Sequence, residues 1–227
     1  MRIFTLVFLV VVLAALITQQ YLINRQAKSV TAHRDSVPEA FRGKISLEEH
    51  QQAADYSIAK GNLGKIDLLV GTGLLFIWTF GGGLNVLDQF WMAFEIPQLF
   101  QGVLVMLSFL LISSLLSLPL QIYETFVLEE QFGFNHTKVS TFVSDLLKMT
   151  LLTLILYTPL LLLILWLMQS AGQLWWIWAW LTICGFSLLM LWAYPTFIAP
   201  IFNEFKSLEN EALQQRIHNL LKKCGFS

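Results

Sequence analysis

Five apolar runs, each long enough to cross a bilayer as a helix, decide what this chain can fold into. They cover 3–23, 66–87, 100–122, 149–168 and 174–194. With 56% hydrophobic and 13% charged residues in 227, the chain lies outside the range of soluble globular proteins, and lipid rather than water is its main solvent. The expected fold class is all-α: a multi-pass transmembrane helical protein with about five spans, cytoplasmic amphipathic helices and the lipid bilayer as its first partner. The second run is the least regular. Asp67 stands at its start and Gly81, Gly82 and Gly83 loosen its end, which predicts a frayed or re-entrant terminus.

Charge placement gives the orientation. Arg2 precedes the first run as in a signal peptide, but the apolar core exceeds the usual h-region of about 7–15 residues and no A-x-A-like site follows before Gln19 and Gln20, so the run reads as an uncleaved anchor. Five spans place 13 of the 14 basic residues in the first loop, the third loop and the tail, with only Arg2 opposite. The positive-inside rule then puts the amino terminus on the non-cytoplasmic side and the carboxy-terminal tail in the cytoplasm. The membrane would be the inner membrane in a bacterium and the endoplasmic reticulum in a eukaryote. Trp175, Trp176, Trp178 and Trp180 cluster at one end of the fifth run, as in an interfacial aromatic belt. A formal net charge of -1 gives no case for nucleic acid as a partner.

The cytoplasmic segments carry helix signals of their own. From Ser46 to Lys60 the composition is helix-forming, with Glu48, Glu49 and Asp55 near its start, which predicts a helix leading into the second span. In the tail, Ser207 is the expected N-cap, Glu209 and Glu211 occupy the first turns, Lys222 and Lys223 the last, and Gly225 the C′ position. Leu213, Ile217, Leu220, Leu221 and Cys224 make one apolar stripe, which must bury itself against protein or the membrane surface. The abrupt stop at Phe226-Ser227 predicts a truncated chain. Two cysteines, Cys184 and Cys224, are too few and too differently placed for a disulfide framework and are expected to be reduced.

Polar and aromatic residues concentrate after the third and fifth spans. The first patch holds Tyr123, Glu124, Glu129, Glu130 and the Phe132-Gly-Phe-Asn135 core, followed by Phe142, Asp145 and Lys148 at helical spacing. Acids at a membrane boundary are costly unless paired or hydrated, and Glu124, Glu129 and Glu130 are expected to cap helices, to pair with Lys138 or Lys148, or to contact a further domain. The second patch runs from Tyr194-Pro195 through Ile198-Ala-Pro200 to Phe202-Asn203, where two prolines predict non-helical backbone packed in protein or lining a water-filled cavity.

These strings, with Tyr21-Leu22, Arg25-Gln26, Val37-Pro38, Tyr56 and Lys60, resemble the amino-terminal half of type I CAAX prenyl proteases over nearly the whole chain. The resemblance implies a seven-helix membrane zinc metalloendopeptidase whose helices enclose a water-filled chamber, with the metal site on a cytoplasmic-side domain. It also implies a protein or peptide substrate, prenylated or membrane-associated. On that reading 1–206 is an amino-terminal membrane domain supplying chamber wall and substrate access. Residues 207–227 then form a cytoplasmic helix leading to a missing carboxy-terminal protease domain. Tyr123, Glu129, Asn135, Tyr194 and Asn203 become candidates for lining the chamber or contacting that domain.

One departure limits the claim. The chemistry needs H-E-x-x-H on a helix, two histidines one turn apart for zinc and a glutamate to activate water. His33, His50, His136 and His218 do not supply it, so no catalytic and no metal residue is assigned and the chain is expected to be inactive alone. Zinc is a cofactor expected only of a full-length family member. Two other readings are a non-catalytic membrane scaffold or assembly factor and, more weakly, a small transporter, for which no inverted repeat is visible. Elemental analysis of the purified chain should find no stoichiometric zinc; one tightly held ion per chain would contradict this assignment.

Overall fold

The computed structural model describes residues 2–203, 205–206 and 210–225. They fall into two compact units, one up to Trp166 and one from Leu167 onward. The first unit contains α1 (Arg2–His33), α2 (Leu47–Thr79), α3 (Gly83–Met92), α4 (Gln98–Tyr123), α5 (Glu129–Gln131) and most of α6 (Val139–Ser170). The second contains the end of α6 with α7 (Trp175–Ala193), α8 (Ala199–Phe202) and α9 (Glu211–Lys223). No strand occurs among the described residues, and the chain is an all-helical membrane protein with four helices long and apolar enough to span, or five counting α2 with α3 as one bent span. Large apolar side chains such as Leu69, Leu115 and Leu188 are exposed because lipid is their solvent, while Leu63, Trp78, Val103 and Leu128 are buried between helices.

Local sequence explains where α2 starts. Ser46 Oγ accepts the Glu49 N–H at 3.1 Å while the Glu49 carboxylate accepts the Ser46 N–H at 2.7 Å, a reciprocal capping box. Those bonds, the backbone one first, hold the Glu49 carboxyl below its usual range. From there α2 continues without interruption through the expected cytoplasmic helix into the second apolar run.

Its other end corrects the expected span 66–87. The helix stops at Thr79, and α3 sets off from Gly83 at a bend of 48°. Gly82 caps α3 in the left-handed region at φ 77°, and Gly83 lies so close to Trp78 that a Cβ there would meet its ring carbon Cε3 at 2.6 Å. Residues 66–79 cover about 21 Å, and α3 adds about 10 Å along the same direction, so the pair together reaches the ~30 Å of a hydrocarbon core.

Two further expectations change at the ends of the third and fifth spans. No loop follows α4: the chain stays helical, through a five-residue π-turn over Glu124–Leu128 closed by the Glu129 N–H on the Glu124 carbonyl, and on into α5. Nor do Pro195 and Pro200 produce non-helical backbone. A second π-turn over Tyr194–Ile198, closed by the Ala199 N–H on the Tyr194 carbonyl, absorbs Pro195, and the chain stays helical through Pro200 in the first turn of α8. In the tail, Ser207 and Glu209 lie outside the described residues. The described helix begins at Glu211 after Asn210, whose Oδ1 accepts the Leu213 N–H at 3.1 Å, and Gly225 takes a left-handed φ of 78° at the expected C′ position.

Replacing Gly83 by Ala should destabilise the protein by about 1–3 kcal/mol, since the added methyl displaces the buried Trp78 ring. Gly73→Ala, in the open middle of α2, should be neutral or slightly stabilising. Thermal unfolding of both variants in detergent, followed by far-ultraviolet dichroism, measures the difference.

Candidate functional site

Polar residues that an isolated apolar helix has no use for converge where α2 meets α4. On α2, Lys60, Gly64 and Asp67 fall on one face at helical spacing, and on α4 Ser117, Gln121 and Glu124 do the same. The two faces line a cleft of about 350 Å³ together with Leu63 and Leu120. Lys60 Nζ lies 2.9 Å from the Glu124 carboxylate, and donates to the Tyr56 hydroxyl at 3.4 Å while standing 5.7 Å from that ring's centroid. Both members of the ion pair remain part-exposed, consistent with a hydrated cleft.

Further along α2 the same face holds the connector that leads to α6. Tyr56 packs edge-on against Phe132 at 5.4 Å and Phe134 at 4.8 Å between ring centroids, and Gln52 Nε2 donates to the Phe132 carbonyl at 3.1 Å. Gln52, Tyr56 and Lys60, spaced by four, thus clamp the segment from the π-turn through the Phe-Gly-Phe turn. The expected pairing of Glu124 with Lys138 or Lys148 is corrected: Glu124 meets Lys60, and Lys148 lies 3.4 Å from Asp145 one turn away. Sequence reading missed the pair because its partners stand on different helices 64 positions apart.

The candidate residues divide between the two units. Tyr123 is exposed at the end of α4 and lines a second cleft of about 520 Å³ with Asn62, Ile66, Pro119, Leu128 and Gln131. Glu129 and Asn135 come together, the Glu129 carbonyl accepting the Phe134 N–H at 2.9 Å and the Asn135 N–H at 3.3 Å. Asn135 also donates to the Glu130 carboxylate at 3.0 Å and accepts the Thr137 N–H at 2.8 Å, so its side chain shapes the turn. In the second unit, exposed Tyr194 opens the π-turn and Asn203 ends α8, its N–H donating to the Ala199 carbonyl at 3.0 Å.

A short sequence recurs at the exits of the third and fifth spans. Tyr123-Glu-Thr-Phe126 and Tyr194-Pro-Thr-Phe197 each stand at the exit of a spanning helix where a π-turn forms, and each π-turn ends on a buried aliphatic residue, Leu128 and Ile198. Within its own unit, Phe126 packs on Phe142 at 5.3 Å and Phe197 on Trp192 at 5.5 Å. The two candidate tyrosines thus share a local setting, and π-turns of this kind are frequent at functional sites.

Where α1 and α2 extend beyond their apolar runs, Arg34 donates from Nε and an Nη to both Asp55 oxygens at 2.7 Å, tying the end of α1 to α2. That hydrogen-bonded guanidinium holds the Asp55 carboxyl below its usual range. The histidines serve structure here, the His50 Nε2–H donating to the His33 carbonyl at 2.9 Å and the His33 Nδ1–H to the Ser29 carbonyl at 2.8 Å. Among the described residues no three His, Cys, Asp or Glu side chains converge where they could hold a metal, so these residues do not fit zinc.

The comparisons with known proteins follow the same helices. A family model described as the CAAX prenyl protease N-terminal region, with five membrane helices, matches residues 26–204. The chain belongs to the CAAX prenyl protease family, as its amino-terminal membrane part. Among curated relatives, a CAAX prenyl protease 1 homolog of Mus musculus is 32% identical over 163 residues, which is 72% of this chain and 34% of the relative. One of Arabidopsis thaliana is 30% identical over 205 residues, or 84% of this chain and 47% of that one. The crystal structure of S. mikatae Ste24p matches with a TM-score of 0.82 at 23% identity, covering 94% of this chain and 51% of that one, and shows the same fold. The chain therefore spans about half the length, or less, of these relatives.

The Lys60–Glu124 pair is open to direct measurement. Lys60→Met and Glu124→Gln in a double-mutant cycle should give a coupling of about 0.5–1 kcal/mol, the upper part of the range for a part-exposed pair. Thermal unfolding of the four proteins in detergent reads the coupling, and a value within error of zero would show the pair to be incidental.

Proposed function

We propose that this chain is the membrane part of a CAAX prenyl protease-like zinc metalloendopeptidase, forming chamber wall and substrate access for proteolysis of prenylated or membrane-associated proteins. The observation that carries the reading is the seam of Lys60, Gly64 and Asp67 against Ser117, Gln121 and Glu124. On both helices it lies opposite large lipid-exposed leucines, Leu69 on α2 and Leu115 on α4. An unpaired acid at the centre of a spanning helix costs about 2.5–3.5 kcal/mol on insertion scales, so a polar stripe on one face of such helices belongs against water rather than lipid. The wall holds and orients a polypeptide; the metal-bound water and the acid that activates it come from residues outside these 227. Tyr123, Glu129 and Asn135 on the connector, and Tyr194 and Asn203 at the other π-turn, are the candidate contacts to substrate or protease domain. The orientation proposed from the basic residues, amino terminus outside and tail in the cytoplasm, puts the clamped connector and α9 on the cytoplasmic side, where a soluble protease domain would meet them.

Single cysteines test the wall. With Cys184 and Cys224 changed to Ser, cysteines at Ser117 and Gln121 should react in nanodiscs with a water-soluble thiol reagent at least about tenfold faster than one at Leu115, because only a hydrated thiol ionises readily. Equal, slow labelling at all three positions would place the seam in lipid or in dry protein and remove the chamber reading.

A further inference from the structure

Asp67 belongs to the polar seam, and its surroundings select a ligand. It is exposed in the α2–α4 cleft at the start of the apolar part of α2, and its carboxylate has no hydrogen-bond or ionic partner among the described residues. The one cation lining that cleft, Lys60, is already engaged by Glu124 at 2.9 Å and by the Tyr56 hydroxyl. The cleft of about 350 Å³ thus holds one neutralised ion pair and one uncompensated negative charge about 10 Å away along the helix, with Ser117 and Gln121 opposite as neutral hydrogen-bonding groups. Its walls, Leu63, Gly64 and Leu120, add apolar surface for a methylene stem.

From this arrangement we infer that the α2–α4 cleft is a specificity subsite for a cationic side chain, lysine or arginine, of a polypeptide in the chamber, with Asp67 as the residue that pairs with it. The charged head meets the Asp67 carboxylate while Gln121 and Ser117 accept its remaining N–H groups, and the stem lies along Leu63 and Leu120. Lys60 sets the polarity of the site: by occupying Glu124 it leaves room for one positive charge rather than two. The inference rests on the chamber reading, and the experiment separates the two.

The chain is reconstituted in nanodiscs of neutral phosphatidylcholine, so that basic peptides gain nothing from the lipid surface. Two fluorescent membrane-associated dodecapeptides are compared by anisotropy, identical except for one arginine replaced by its neutral isostere citrulline. The arginine peptide should bind about tenfold more tightly, the effect of one part-desolvated ion pair. Asp67→Asn should abolish the preference while leaving citrulline-peptide affinity unchanged, which also shows that the variant is folded, and Asp67→Glu should retain it. Equal binding of both peptides to the unaltered chain, or a preference that survives in Asp67→Asn, overturns the subsite and leaves the chamber standing. Binding of neither peptide overturns both.

Discussion

A backbone N–H or C=O left unpaired in hydrocarbon costs several kcal/mol, and this one constraint accounts for how the chain handles the irregularities at the ends of its second, third and fifth spans. Pro195 removes an N–H from the helix that leaves the fifth span, and the backbone answers by widening into a π-turn that keeps Tyr194 paired with Ala199. The same i to i+5 pairing joins Glu124 to Glu129 after the third span. At the one break in a span, the Phe80 and Gly81 N–H groups both go to the Phe76 carbonyl before Gly82 turns the chain, and the Val86 N–H returns to the Gly82 carbonyl to start α3. The backbone bends by local re-pairing, at glycine between α2 and α3 and at Pro195 after the fifth span, while the π-turn after the third span contains neither residue.

With the backbone settled this way, side chains decide which face of each helix meets lipid. On α4 Ser117, Gln121 and Glu124 share one face, and Leu115 stands opposite. On α2 the corresponding division is Lys60, Gly64 and Asp67 against Leu69. Together the two stripes make a polar cleft inside an apolar surround, where electrostatic pairing is stronger than at an open surface. The polar amino-terminal part of α2 carries that face beyond the apolar run, so Tyr56 and Gln52 position the Phe-Gly-Phe connector with the helix that supplies Lys60.

Spans were legible because each is a long local signal: about 20 consecutive residues need no knowledge of what they touch. The helix start at Ser46 was legible for the same reason, its acidic first turn following directly in sequence, and Gly225 marked its helix end by a backbone conformation that few other residues adopt. What composition could not show was how proline is accommodated. At Pro195 a break and a π-turn begin from the same missing N–H, and the packing of Phe197 on Trp192 and the burial of Ile198 accompany the turn. The Lys60–Glu124 pair was illegible for a different reason. Several lysines compete for that glutamate in sequence, and only the α2–α4 packing selects one.

That selection explains why a charged pair stands where an apolar contact would be simpler. Two apolar helices in lipid can slide past one another with little change in contact, since leucine is exchanged for leucine at every turn of about 5.4 Å. Opposing Lys60 to Glu124 removes that freedom: a slip of one turn brings Lys60 level with Leu120 and leaves Glu124 unpaired at the membrane boundary. Worth about 0.5–1 kcal/mol at part-exposed positions, the pair favours this register alongside the Trp78–Phe109 contact between the same helices. Asp67 depends on that register too, because only there does it face Ser117 and Gln121 across a cleft rather than the leucines between them. A part-exposed ion pair of small net stability therefore does what apolar packing in lipid does poorly, which is to fix which residues of the wall look inward.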